Sequence, residues 1–321
     1  MIELLLDDRL GKVWDIGGIV TDISWKTTRI GKAGSLEFTL IKGGLYENRS
    51  FSVENGHIIR FYYNGNRIFY GYIFSIDGGR DEALKITAYD QIRYLMASDT
   101  YVFSGVTASD VIGRIAKDFK LKLGRIDTPS YKIPTMVEDT QKLLDIIDKA
   151  LTLTLINKGE NYILFDDFGE LSLRLIDDMM VEFVLGDDSL LYNYTYKKSI
   201  DSDTYNKIKL VQDNKTTGKR DVHIVQDSGN IARWGMLQLY QKVDDNLNTA
   251  QIRQQLDTLA QLKNRESKSI SLEALGDPRV RAGCYVPLVI EEYDINQPFL
   301  IDSCTHRFAG EHTMSLELKV L

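Results

Sequence analysis

Alternation of apolar and polar residues dominates both ends of this chain. Thr21, Ile23 and Trp25 alternate with Asp22, Ser24 and Lys26, a period of two that predicts a strand with one buried face. A glycine-bearing turn at Gly31 and Gly34 leads to a second alternating run, Ser35 to Leu40. His57 to Tyr63 and Arg67 to Ile76 flank Asn64-Gly65-Asn66, and Asn-Gly supplies the positive φ that a tight hairpin demands. Gly78-Gly79-Arg80-Asp81 then turns the chain into Ala83 to Tyr89. Short strands at this spacing predict a small β-barrel over residues 1–100.

The period changes near Thr107. Val111, Ile112, Ile115, Ala116 and Phe119 fall on one helical face, with Thr107 and Asp110 placed as a helix start. A Pro-containing loop (Pro129, Pro134) separates this helix from a second, whose apolar face is Leu143, Leu144, Ile147, Ala150 and Leu151. A hairpin over Asn161 to Leu175 turns at Asp166-Asp167-Phe168-Gly169. Residues 101–185 therefore read as an α+β middle domain.

From residue 186 strands return, giving an expected second β-barrel domain over 186–321. Tyr192, Tyr194 and Tyr196 alternate; Asn206 to Val211 and Arg220 to Gln226 flank a longer turn at Asn214 to Gly218. One amphipathic helix, about 248–264, carries Ile252, Leu256, Leu259 and Ala260 on its apolar face. Lys268 to Leu275 is a further strand. The fold class is thus mainly β within α+β: two related small barrels with an α+β domain between them.

The two ends echo each other. Gly56, strand, Asn64-Gly65-Asn66, strand, Gly78-Gly79, strand is matched by Gly283, strand, Asp294-Ile295-Asn296, strand, Ala309-Gly310, strand. Two related units per chain would let a trimer present six similar units in a ring. A three-fold object could then dock on a six-fold one.

Composition narrows the function classes. The 321 residues are 43% hydrophobic and 26% charged, ordinary for a globular chain, with a net charge of −7. An acidic chain gains nothing from counterion release, so specific nucleic-acid binding is not expected. Apolar runs are broken well short of a membrane span, and Glu3, Asp7 and Asp8 oppose a secretory signal. Two cysteines form no disulfide framework, which fits folding in a reducing cytosol.

Reactive residue types gather in one stretch, Gly276 to Leu321, which holds Cys284, Cys304, His306 and His312. Alternation places Cys304, His306 and Phe308 on one face. A three-residue turn at 309–311 would set Phe308 against His312, His306 against Met314 and Cys304 against Leu316, an apolar company that marks the core. The cysteines are too widely spaced for a zinc site, and a catalytic thiol would need an exposed, acidified position. No metal, cofactor or catalytic residue is expected. Gly11-Lys12, Gly31-Lys32 and Gly218-Lys219 lack the Ser/Thr of a phosphate loop and read as turns. Asp166-Asp167 and Asp187-Asp188 read as solvated turn carboxylates, without calcium-loop spacing. The 17 tyrosines suit strand packing as well as recognition of carbohydrate or protein.

Dispersed segments carry a family resemblance: Thr87-Ala-Tyr-Asp-Gln-Ile-Arg-Tyr-Leu, Thr107-Ala-Ser-Asp-Val-Ile, Trp234-Gly-Met-Leu-Gln, Leu275-Gly-Asp-Pro-Arg-Val-Arg-Ala-Gly, and His306-Arg-Phe with His312-Thr-Met-Ser-Leu. In order and spacing, from about Asp22 to Leu321, the chain resembles the XkdQ/YqbQ family of phage-like-element proteins. That resemblance implies a non-enzymatic baseplate hub of a contractile phage tail or tail-derived bacteriocin, similar to the trimeric hub of large myophages. It implies a homotrimer whose barrels form a pseudo-six-fold ring between the hexameric inner tube and the central spike. Tape-measure, LysM-type and wedge proteins are further partners in such assemblies. The particle would assemble in the cytoplasm and then carry the protein in its tail. Contacts between copies are expected at strand edges around His57 to Ile76 and Cys284 to Thr305, with the middle domain outside the ring. Competing readings are a tail-associated cell-wall hydrolase, which would need a catalytic set away from the core, and a receptor- or carbohydrate-binding β module.

Overall fold

The computed structural model describes residues 1–43, 48, 51–80, 82–186, 189–201, 203–214 and 218–319. Its N-terminal part is all strand: β1 (Ile2–Asp7), β2 (Val13–Asp15), β3 (Val20–Thr28), β4 (Ser35–Ile41), β5 (Ile58–Tyr63), β6 (Asn66–Gly78) and β7 (Ala83–Tyr89). The β5–β6 turn has Asn64 and Gly65 at φ 50° and 80°, the backbone that Asn-Gly is suited to provide. Alternate residues Leu36, Phe38 and Leu40 of β4 are buried with Leu4, Leu6, Ile59, Phe61 and Ile86 in the core of this part.

The middle of the chain contains β8 (Ser98–Val106), α1 (Ala108–Asp118), β9 (Leu123–Ile126), β10 (Ile133–Lys142), α2 (Leu143–Lys158), β11 (Tyr162–Asp166) and β12 (Leu171–Leu175). Thr107 caps α1 through a reciprocal box with Asp110, and α2 stops where Gly159 turns left-handed at φ 73°. The buried face of α1 packs with that of α2 and with Tyr101 and Phe103 of β8. The expected loop at Pro129 and Pro134 is in part a strand. β10 pairs with β8 from Ile133 onward, and Pro134, which has no N–H to give, accepts from Ser104 Oγ at 3.3 Å through its carbonyl.

The C-terminal part runs β13 (Leu185–Gly186), β14 (Leu191–Ser199), β15 (Lys207–Asn214), β16 (Lys219–Gln226), α3 (Ser228–Trp234), β17 (Gln238–Lys242), α4 (Thr249–Lys263), β18 (Ser267–Leu275), β19 (Tyr285–Ile290), β20 (Ile295–Arg307) and β21 (Thr313–Lys319). Asn248 and Gln251 box the start of α4, whose Ile252, Leu256 and Leu259 cover Ile208 and Leu210 of β15. The protein is mainly β.

Its two strand-rich ends share one 13-stranded sheet, in the order β14-β18-β21-β20-β3-β4-β7-β6-β5-β1-β2, with β19 and β13 attached beside β20. The joint is β20 on β3, which pairs His306 with Trp25 and Cys304 with Thr27. Among the described residues no helix is long and apolar enough to cross a membrane.

Candidate functional site

The Cys/His group lies at this joint. Cys304 faces Leu316 and His306 faces Met314 across β20–β21, the register expected from the turn length. Cys304 and His306 are both 0% exposed. His306 Nε2 lies 2.8 Å from the Val280 carbonyl, which can only accept, so Nε2 carries the proton. Nδ1 then accepts from His312 Nε2–H at 2.9 Å, and the His306 imidazole is satisfied in the neutral form. Burial holds the pKa of His306 down at about 4 and drives the Cys304 thiol far upward. The Cys304 sulfur is 3.1 Å from His306 Nε2, but a neutral enclosed pair of this kind neither makes a thiolate nor admits a substrate. The His306 ring stacks on Trp25 at 5.1 Å between centroids, and Phe308 reaches into the N-terminal core against Phe61 and Tyr63, both at 4.9 Å. The group is a brace across the joint. Among the described residues no three His, Cys, Asp or Glu side chains are grouped to hold a metal.

The remaining candidates disperse. Gly11, Gly31 and Gly218 sit at turns with φ 107°, 77° and 64°. Asp187-Asp188 lie outside the described residues. Asp167 is exposed as expected, but Asp166 is not solvated: it is 7% exposed and accepts from Gly169 N–H at 2.6 Å and Gln91 N–H at 3.3 Å. Burial raises its pKa to about 6 and raises that of neighbouring Asp90 well above the usual carboxylate range. Arg281 joins them: its guanidinium donates to the Asp166 carbonyl at 3.1 Å and stacks 3.9 Å from the Phe165 ring centroid. This network ties the middle of the chain to both ends. Its sequence signal was Asp90 as a cap before Gln91-Ile92, where it accepts from Ile92 N–H at 3.0 Å.

The larger geometric feature is a repeat. β5, β6 and β7 are 6, 13 and 7 residues long, and β19, β20 and β21 are again 6, 13 and 7. Gly56 N–H donates to the Ile73 carbonyl and Gly283 N–H to the Ile301 carbonyl, each at 2.8 Å. The β6–β7 register breaks between Ile73 and Ser75, and the β20–β21 register between Ile301 and Ser303. The neighbour order β3-β4-β7-β6-β5 is repeated as β14-β18-β21-β20-β19. In this superposition β20 corresponds to β6 and β3 to β14.

The free edges match those expected only at the end of β6, where Ser75 and Ile76 lie on an open segment. β5 lies between β1 and β6, and β19 between β13 and β20, while Ser303–Arg307 of β20 has β21 on one edge and β3 on the other. The stretch Cys284 to Thr305 is therefore covered by this same chain at its joint. Among the described residues, open edges remain on β14, which pairs only with β18, and along Ser75–Gly78 of β6, which pairs there only with β7.

Comparison with known proteins fits this architecture. The family model described as YQBQ-like matches residues 23–319. The chain belongs to the YQBQ-like family. Two Bacillus subtilis (strain 168) proteins are similar to it along most of their length. YqbQ is 34% identical over 274 residues, covering 84% of this chain and 82% of YqbQ. The phage-like element PBSX protein XkdQ is 31% identical over 307 residues, covering 94% and 92%. Among solved structures, the 43 kDa tail protein of prophage MuSo2 from Shewanella oneidensis shares the fold at TM-score 0.71 and 15% identity, covering 99% of this chain and 97% of that one. The E. coli c3393 protein, a type VI secretion component described as similar to T4 tail proteins gp27 and gp5, shares it at TM-score 0.56 and 8% identity, covering 94% and 73%. The YQBQ-like chain thus has the fold of phage tail proteins, and its doubled unit spans most of the region matched by the family.

Proposed function

We propose that this YQBQ-like protein is a structural hub of a phage-type tail or tail-derived particle. Three copies form a ring of six similar units that joins a six-fold tube to a three-fold spike. One observation carries the reading: the chain holds two copies of one strand unit, already joined edge to edge, and among the described residues the two edges that correspond to that joint are open. A joint that repeats between copies generates a ring. Open strand edges are also a liability that such pairing removes. In this reading residues 1–100 and 186–321 build the ring, the middle region 101–185 sits outside it, and the tube and spike proteins are the partners. Its place is the tail of the assembled particle. The hub is non-enzymatic, since its one Cys/His group braces the core.

Light scattering of the purified chain, with electron microscopy of the same sample, tests this. The expected result is a trimer with pseudo-six-fold rings that cap tube protein when it is added. A chain that stays monomeric at high concentration, even with tube and spike proteins present, overturns the reading.

A further inference from the structure

The two joints of such a ring need not be chemically alike, and the residues that correspond across the repeat differ in charge. Ser303, Thr305 and Arg307 of β20 face Thr28, Lys26 and Ser24 of β3. Shared bulges and ladders carry these positions onto Ser75, Asp77 and Gly79 near the end of β6, and onto Ser199, Lys197 and Thr195 of β14. Asp77 of one copy then stands directly opposite Lys197 of the next. Neither has an ion-pair partner among the described residues, and both are exposed.

The segment that leads into the doubled hairpin also differs in charge between the two copies. Within the chain, Val280 and Ala282 are 0% and 1% exposed, and Ala282 N–H donates to Thr27 Oγ1 of β3 at 2.9 Å. Arg281, between them, donates to the main-chain carbonyl of Asp166 at 3.1 Å. The corresponding residues are Val53, Glu54 and Asn55, because His57 N–H donates to Glu54 O as Cys284 N–H donates to Arg281 O. Here Glu54 and Asn55 are exposed. Thr27 corresponds to Lys198 of β14, and Lys198 sits directly opposite Lys268 of β18. Two lysines facing each other across a ladder repel, and no acid pairs with either among the described residues. Lys268 and Lys197 also line a groove of about 470 Å³ in which basic side chains outnumber the two acids, Asp201 and Asp203. In a chain of net charge −7 this is a local positive basin.

We propose that the open edges of β6 and β14 recognise each other on neighbouring copies of this chain through opposite charges, Asp77 opposite Lys197 and Glu54 against the Lys198–Lys268 pair. The inference rests on the ring reading above and adds what makes the contact head-to-tail. A β6 edge meets a β14 edge of opposite sign, whereas two β6 edges or two β14 edges repel. Within the chain Arg281 stands at this place, a charge that the Lys198–Lys268 pair would repel; between chains Glu54 stands there. The two joints therefore do not exchange.

Charge reversal of the full-length protein tests the pattern, read by light scattering across a dilution series at low and high salt. Glu54→Lys with Asp77→Lys makes both open edges basic. Lys197→Glu with Lys198→Glu makes both acidic. Each pair of substitutions is expected to raise the concentration needed for assembly roughly tenfold or more. All four together restore opposite signs and are expected to return assembly to near the wild-type range. Wild-type assembly is expected to weaken as salt rises towards 1 M, where screening acts within about 3 Å. The inference is overturned if the wild type forms trimers but either two-substitution variant assembles equally well. It is also overturned if the four-substitution variant is no better than its parents. Circular dichroism separates lost folding from lost contact. A wild-type chain that never assembles overturns the ring reading itself.

Discussion

Replacing Phe308 by alanine removes the side chain that the C-terminal unit inserts into the core of the N-terminal one. Phe308 is 4% exposed and belongs to the cluster built on Leu4, Phe38, Phe61 and Ile86. Its ring lies 4.9 Å from both Phe61 and Tyr63 and 4.4 Å from His312, between centroids, and its N–H donates to Ile23 O at 2.9 Å. Truncating a phenylalanine so enclosed costs about 3–5 kcal/mol, the transfer free energy plus the cavity left behind. Each lost ring pair is worth about 0.5–1.5 kcal/mol within that range. With a urea dependence of about 3 kcal/mol/M, the unfolding midpoint moves down by about 1–1.7 M. Tryptophan fluorescence follows this transition, since Trp25 stacks at the same joint. Phe308→Leu, which keeps most of the apolar volume, should lose less than half as much. A loss below about 1 kcal/mol for Phe308→Ala would show that the joint does not depend on this inserted ring, and the brace described here would be wrong.

Other consequences can be checked in the same way. His306 has its folded pKa depressed to about 4 against an ordinary value of 6.5, so the unfolded chain takes up a proton first as pH falls. Its contribution is full above pH 6.5, is lost between 6.5 and 4, and amounts to about 3 kcal/mol. Asp148 and Asp166, both raised to about 6, act in the opposite sense, so the wild-type minus His306→Gln difference in urea stability against pH is the quantity to measure. A flat difference contradicts the buried neutral imidazole. Cys284 and Cys304 are 6% and 0% exposed, and a thiol-specific chromogenic reagent should find no reactive thiol in the native protein and both in denaturant. Gly283 has φ 90°, and a Cβ there would come within 1.9 Å of Ile163 Cδ1, so Gly283→Ala should cost about 2 kcal/mol or more. Gly310→Ala, at φ 75° with nothing within 4 Å of an added Cβ, should cost about 1 kcal/mol by thermal melting.

Local chemistry explains which parts of this fold can be read from the sequence. The hairpins are legible because Asn64-Gly65 and the glycine turns dictate backbone geometry on their own, and α1 and α4 announce themselves through Thr107–Asp110 and Asn248–Gln251. The inward face of Cys304 and His306 follows from a period of two and one turn length. β1 is harder to see, since Leu4-Leu5-Leu6 is a continuous apolar run with no alternation. β10 is hidden by Pro134, which signals a loop unless the strand lies at an edge. The burial of Asp166 depends on Gln91, far away in the chain. The echo between the two ends is visible as a sequence of turns, but the joint between β20 and β3 is not. Its partners share no local signal, so the open edges can be identified only once that pairing is known.

The most direct measurement is a cross-link between the two open edges. In the protein carrying Asp77→Cys and Lys197→Cys, directly opposed residues would have Cα atoms about 4.5–5.5 Å apart, within disulfide range. The buried native thiols stay out of the reaction. Mild oxidation followed by non-reducing electrophoresis should give covalent trimers, with dimers as the intermediate, and neither single substitution should give trimers. Oxidation that leaves only monomers, in a sample that light scattering shows to be trimeric, would contradict the pairing of β6 with β14 from which the ring is built.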